Sequence, residues 1–163
     1  MGVFITVLSL VGWLSMACGP LRVHTYLIPV KIEPRWITIE YDNPRCPPLK
    51  ESAFGREFVI PESGFLCTSS PMYTGWHREK YYSVDENNNR TALQTDERIF
   101  RRESFNINQP SSDAGMIVCK VTGEEFFYGP KEKLTSENPM MKDEAFLKQH
   151  PECSQQGEKG GLK

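Results

Sequence analysis

Hydrophobic and polar residues alternate over short stretches of this chain, with the period of two that is typical of β-strands. Within residues 36–41 the alternation places Ile37, Ile39 and Tyr41 on one face, in a segment rich in β-branched and aromatic residues. Pro, Gly, Asn and Asp end such stretches at intervals of roughly 8–15 residues, which gives about eight strands. The pattern predicts an all-β fold, either an antiparallel β-sandwich or a small barrel, formed by a β domain over residues 18–135.

Two hairpins are predicted within this domain. Residues 80–84 and 91–93 flank a polar loop rich in Asn and Asp, which tolerate positive φ. A second hairpin is predicted to turn at residues 122–124, which contain Gly123.

The end of the chain has a different pattern. Residues 136–150 are predicted to form one helix, because Pro139 suits a first helical turn and good helix formers follow it. Residues 151–163 are polar and Gly-rich, which predicts a disordered tail.

The beginning of the chain is apolar and uncharged. All 19 basic and 21 acidic residues lie after residue 17. Residues 1–17 are too short for a typical membrane span and fit a signal peptide, with small residues at Ser15 and Ala17 before a cleavage site at Cys18. Cys18 in this position resembles the lipid-modified cysteine of a bacterial lipoprotein, although Ser15 stands where Leu is usual and no Lys or Arg precedes the apolar run. The alternatives are a cleaved and soluble protein, a retained anchor, a first helix or strand buried in the fold, and a weak myristoylation motif at residues 1–6.

Lipidation of Cys18 leaves an even number of cysteines. Cys46, Cys67, Cys119 and Cys153 could form two disulfides in three possible pairings, which an exported protein permits. Cys67 and Cys119 could instead be small buried residues on strands. The spacing of the four provides no CxxC pair, so no metal site is expected.

The formal charge of −2 argues against a nucleic-acid partner, because such binders usually carry a strong basic excess. The chain contains no GxSxG, HExxH or P-loop motif, so no catalytic residue and no cofactor are predicted. Glu124 and Glu125 should face opposite sides of a strand rather than form an acid–base pair. The arginines at 90, 98, 101 and 102 are interpreted as a solvated strand edge.

One loop has the composition of a recognition surface, because it combines hydroxyl groups, aromatic rings and a cation. We call residues 68–78 the candidate binding loop. Its predicted contact residues are Thr68, Ser69, Ser70, Tyr73, Trp76, His77 and Arg78.

Several phrases of the sequence occur together in one known group. They are Tyr26-Leu27-Ile28-Pro29, Trp36 with Ile39-Glu40-Tyr41, Pro47-Pro48-Leu49, Ile60-Pro61-Glu62-Ser63-Gly64, Thr68-Ser69-Ser70-Pro71, Gly75-Trp76 and Tyr81-Tyr82. In this respect the chain resembles bacterial exported proteins of the DUF6843 type, although residues 30–34 depart from the usual pattern. The resemblance implies a compact exported β domain with a lipoprotein-like start, and it implies no reaction.

The sequence therefore predicts a non-enzymatic bacterial envelope lipoprotein, held on the membrane by Cys18 and facing the periplasm. Its role would be structural or would consist of binding a protein or glycan partner. Three alternatives remain: an envelope hydrolase with a site near residues 62–78, a periplasmic immunity-type protein, and a host-secreted domain glycosylated at Asn89.

Overall fold

The fold was obtained as a computed structural model that describes residues 21–110, 117–134, 144–151 and 153. Among them are nine strands: β1 (Arg22–Pro29), β2 (Arg35–Tyr41), β3 (Lys50–Ser52), β4 (Gly55–Val59), β5 (Phe65–Cys67), β6 (His77–Val84), β7 (Arg90–Ala92), β8 (Ile99–Pro110) and β9 (Ile117–Tyr128). Two short helices, α1 (Thr95–Arg98) and α2 (Glu144–Gln149), and a 3₁₀ turn at Lys131–Lys133 complete them. The predicted signal peptide, Cys18, residues 136–143 of the predicted helix, and residues 152 and 154–163 of the predicted tail lie outside the described residues.

The strands form two sheets, which confirms the predicted all-β sandwich. One sheet has the order β3-β4-β1-β6-β7, and the other has the order β5-β2-β9-β8. Both sheets are mixed rather than purely antiparallel, because β1 pairs in parallel with β4 and β6, and β2 pairs in parallel with β5. The chain changes sheet after β1, β2, β4, β5 and β7. Between β1 and β4, and again between β4 and β6, it passes through the other sheet, and these three strands run in the same direction.

The main core lies between the sheets and consists of fully buried aliphatic and aromatic side chains. The predicted alternation in β2 is confirmed, since Ile37, Ile39 and Tyr41 all belong to this core. They pack with Phe126 of the adjacent β9 and with Tyr26 and Phe58 of the opposite sheet. The hydrophobic pattern of β2 therefore determines which of its faces is turned towards the other sheet.

A second, smaller core forms where α2 packs against the four-stranded sheet. Phe146 is fully buried and its ring meets Phe65 edge-on at 5.7 Å. Val121 of β9 belongs to the same cluster. Because side chains alternate along β9, this residue points away from the main core. The helix thus covers the outer face of the sheet.

The predicted hairpin at residues 122–124 is wrong, because β9 continues through this segment as one strand of 12 residues. Gly123 pairs with both Glu40 and Phe105 on the flanking strands. A Cβ atom at this glycine would lie 2.4 Å from the Ile39 carbonyl oxygen and 2.5 Å from the Phe105 ring. Here glycine permits a close approach of three strands and does not introduce a turn. The other predicted hairpin is found, with β6 and β7 antiparallel.

Two disulfides link the four cysteines of the described chain. Cys46 is bonded to Cys67, and Cys119 is bonded to Cys153. The first joins the segment before β3 to the end of β5. The second joins β9 to the residues that follow α2, so packing extends to Cys153, which is buried. No helix among the described residues is long and apolar enough to cross a membrane.

We expect the Cys119–Cys153 bond to hold α2 on the sheet. It closes a loop of 34 residues, and by the chain-entropy relation its loss should lower the free energy of unfolding by about 3–4 kcal/mol. In the double variant Cys119→Ser/Cys153→Ser, trypsin should cleave after the exposed Lys148 under native conditions. Cys46→Ser/Cys67→Ser is the matched control and should leave that site protected. A Lys148 site that stays protected in Cys119→Ser/Cys153→Ser as well would show that α2 is held by other contacts.

Candidate functional site

The first part of the candidate binding loop is a structural element rather than a free surface. Thr68 and Ser70 are buried. The Thr68 hydroxyl donates to the Pro47 carbonyl at 2.9 Å, and the Leu49 N–H donates to the Ser70 hydroxyl at 3.0 Å. The half-buried Ser69 donates its N–H to the same Pro47 carbonyl at 3.3 Å. These bonds fix the loop to residues 47–49, beside the Cys46–Cys67 disulfide.

The middle of the loop packs through aromatic rings against β1. The ring of His24 stacks on that of His77 with centroids 3.9 Å apart, and Tyr73 meets His24 edge-on at 5.4 Å. The guanidinium of Arg22 lies 5.1 Å from the centre of the Tyr73 ring, within the range of a cation–π contact. Tyr73 and His77 are thus held in place by their contacts with one another and with β1.

His24 is a buried base without a hydrogen-bonding partner among the described residues. Burial, followed by the neighbouring charge of His77, lowers the pKa of His24 to about 4. The ring is therefore neutral in the folded protein at neutral pH. In the sequence, nothing distinguishes His24 from a histidine at the exposed edge of a sheet.

The end of the loop carries the one predicted contact residue that is almost wholly exposed. Trp76 is 93% exposed, directly before β6 begins at His77. Thr74, Gly75, His77 and Glu79 line a shallow depression around it. Arg78 is exposed as well. Of the seven predicted contact residues, Trp76 and Arg78 therefore offer the most accessible surface.

A chain of polar groups runs inward from this loop. His77 meets the Gly75 carbonyl through Nδ1 at 2.8 Å and Glu79 through Nε2 at 3.2 Å. Glu79 accepts a hydrogen bond from Tyr81 at 2.9 Å and forms an ion pair with Arg102. The chain connects the half-buried histidine at the surface to the interior between the sheets.

Glu124 is the inner end of this chain. Its side chain is almost fully buried and is paired with Arg102, whose Nη2 lies 2.5 Å from Oε2. Tyr26 donates to Glu124 Oε1 at 3.2 Å, and Tyr41 donates to the same oxygen. Burial and then the Glu124 charge raise the pKa of both tyrosines above its ordinary value, so their hydroxyls remain donors. The arrangement stabilises one buried negative charge.

The sequence identified only part of this cluster. The prediction that Glu124 and Glu125 face opposite sides agrees with the position of Glu124 between the sheets. Arg102 is only 23% exposed and lies in the cluster, so its interpretation as a solvated edge residue is wrong. The alternation Glu124-Phe126-Tyr128 was the available signal, because it places this carboxylate on an otherwise aromatic inner face.

A second buried carboxylate lies under α2. Glu40 Oε1 accepts from His150 Nε2 and from Asn43 Nδ2, each at 2.9 Å. A groove of about 370 Å³ opens beside it, with Arg45 and Lys120 among its lining residues. The described residues contain no group of three or more His, Cys, Asp or Glu side chains that could hold a metal ion.

Comparisons with known proteins give a family and a similar fold, and no activity. The sequence profile of a family of unknown function, DUF6843, matches residues 22–133. A search of curated proteins found no match. A crystal structure of a Bacillus anthracis protein, provisionally described as a lipoprotein, superimposes with a TM-score of 0.59 at 18% identity. The alignment covers 77% of this chain and 91% of the other, and it shows that the two share a fold.

We expect His24 to make the protein less stable in acid. The unfolded chain takes up a proton near pH 6.5 and the folded protein only near pH 4, so stability falls as the pH drops between these values, by roughly 3 kcal/mol at most. His24→Phe keeps a ring in place and removes the titrating group. In urea titrations between pH 7 and pH 4.5, the stability of this variant relative to wild type should rise as the pH falls. A constant difference would contradict the assignment.

We expect truncation of Glu124 to destabilise the protein strongly. Glu124→Ala leaves Arg102 and two tyrosine hydroxyls without their shared partner, which should lower the free energy of unfolding by about 3–5 kcal/mol. Glu103→Ala on the exposed side of β8 is the control and should stay within about 0.5 kcal/mol of wild type. Chemical denaturation at pH 7 measures both. A small effect at Glu124 would mean that the cluster contributes little to stability.

Proposed function

This chain belongs to the DUF6843 family, and we propose that it is an exported bacterial envelope protein, anchored by lipid on Cys18, that acts by binding rather than by catalysis. The position of Cys18 carries this proposal. It directly follows an uncharged apolar segment, and the first strand begins four residues later at Arg22. A lipid on Cys18 would therefore attach the sandwich closely to the membrane surface.

The disulfides support export. Cys46–Cys67 and Cys119–Cys153 account for every cysteine after Cys18, and such bonds form and persist in oxidising compartments outside the cytoplasm. The similar fold of the Bacillus anthracis protein, which is provisionally described as a lipoprotein, also supports export. The periplasmic orientation and the envelope location follow from the proposed signal.

A binding role is supported by the way the polar groups of the candidate binding loop are used. Thr68 and Ser70 are engaged with backbone groups, and both ring nitrogens of His77 face acceptors. The hydroxyls of Thr68 and Ser70 are therefore used as structural partners, which speaks against the hydrolase alternative. The accessible side chains are instead Trp76 and Arg78, which are types enriched in recognition surfaces. We therefore assign the binding surface to the outer part of this loop, and no observation favours the immunity-type alternative over it.

Metabolic labelling tests the anchor. Cells that express the full chain and receive a fatty-acid analogue should produce labelled protein in the membrane fraction, and Cys18→Ala should abolish the label. Cys46→Ala/Cys67→Ala is the matched control and should keep it, because those sulfurs are joined to each other. An unlabelled wild-type protein, or a label that persists in Cys18→Ala, would refute lipid attachment at this residue.

A further inference from the structure

Three exposed apolar side chains lie at the same end of the sandwich. Strands β4, β1 and β6 run in parallel, so that Val23 is paired with Gly55 and Arg22 with His77. Leu21, Phe54 and Trp76 each precede the first residue of one of these strands. Neighbouring strands are about 4.8 Å apart, so the three positions lie side by side along one edge. We call these three residues the apolar tip.

The apolar tip is exposed to an unusual degree. Leu21 is 45% exposed, Phe54 70% and Trp76 93%. Large rings are seldom left in water, because their burial is worth more than that of most side chains. Two further exposed apolar residues, Val30 and Val59, lie at the opposite end of β1 and β4. The rings are therefore gathered at one end, with smaller aliphatic residues at the other.

Positive charge accompanies the apolar tip. Arg22 and Arg78 are the first residue of β1 and the second residue of β6. The guanidinium of Arg22 lies over the Tyr73 ring, and the exposed Arg78 forms no ion pair among the described residues. Protein segments that lie at the interface of an anionic bilayer typically combine Trp or Phe with arginine, as this end of the sandwich does.

The length of chain before the apolar tip brings it close to the proposed anchor. Cys18 precedes Leu21 by three residues, and three residues span at most about 11 Å when fully extended. A lipid on Cys18 would therefore hold this end, and not the opposite one, against the headgroups.

We propose that the apolar tip inserts into the interfacial layer of the anionic membrane that carries the protein, so that the binding partner of the loop is the bilayer itself. This inference rests on the proposed function, since Cys18 sets the orientation. The chain then has two attachments, the lipid and the rings, and β1, β4 and β6 lead away from the membrane. The opposite end, with the β6–β7 hairpin, is turned outwards.

Fluorescence quenching tests this orientation on the lipid-bearing full-chain protein. The wild type and Trp76→Phe are reconstituted in phosphatidylglycerol vesicles whose acyl chains are brominated near the headgroup. The difference between the two proteins isolates Trp76, whose emission should shift to shorter wavelength and be largely quenched by bromine. Acrylamide, a neutral quencher dissolved in the water, should quench Trp76 far less than in the same protein on nanodiscs of uncharged lipid without bromine.

Matched variants separate the two ends of the sandwich. Phe54→Ser should reduce the quenching of Trp76 several-fold, since each buried ring contributes roughly a tenfold gain in interfacial affinity. Val30→Ser/Val59→Ser removes exposed apolar surface at the opposite end and should leave the quenching unchanged. Reduced quenching in this control and not in Phe54→Ser would overturn the inference.

The same measurements separate membrane insertion of the apolar tip from lipid attachment at Cys18. A fatty-acid label on Cys18, together with a Trp76 that acrylamide quenches and bromine does not, would refute membrane insertion and leave the anchor intact. Protection of Trp76 that appears only when a second protein is added would likewise refute it and would favour a protein partner. Quenching by bromine without any label on Cys18 would refute the anchor alone.

Discussion

The buried charge of Glu124 constrains both sheets at once. A carboxylate in the interior is tolerated only if nearby donors replace the water it has lost. Those donors are Tyr26 from β1, Tyr41 from β2 and Arg102 from β8. Because Tyr26 belongs to the five-stranded sheet and the others to the four-stranded sheet, the charge is satisfied only when the sheets are packed in this arrangement. A shift of β9 by one residue would move Glu124 to the outer face and separate it from Arg102 and the two tyrosine hydroxyls.

The path of the chain between the sheets determines what lies at each end. Repeated crossing makes β1, β4 and β6 parallel, so their first residues share an edge and their connecting loops meet there. A purely antiparallel meander would instead have distributed these positions over both ends. Tyr73, Trp76 and Phe54 are far apart in sequence from Leu21, and the parallel register brings their segments together. The candidate site is therefore a consequence of the topology.

Much of the local structure could be predicted because alternation and turn residues act over short distances. The face of β2 and the β6–β7 hairpin are examples in which sequence and packing agree. Gly123 was misread because a glycine required for close approach and a glycine required for a turn look alike in a single sequence. Parallel pairing was missed for a related reason, since the direction of a neighbouring strand depends on crossings that leave no local pattern. The disulfide pairing could not be predicted either, because it also depends on which distant segments the fold brings together.

The candidate binding loop is tightly packed directly before Trp76. A Cβ atom at Gly75 would lie 2.4 Å from the Tyr73 hydroxyl oxygen, so the phenol of Tyr73 occupies the space that a larger residue would need. Tyr73 is in turn packed on His24 and beneath the guanidinium of Arg22. The space beside Gly75 is thus already filled, and the indole of the next residue is 93% exposed. Any partner of this loop must therefore receive the ring at the surface, where a fluid bilayer interface can accommodate it without a preformed pocket.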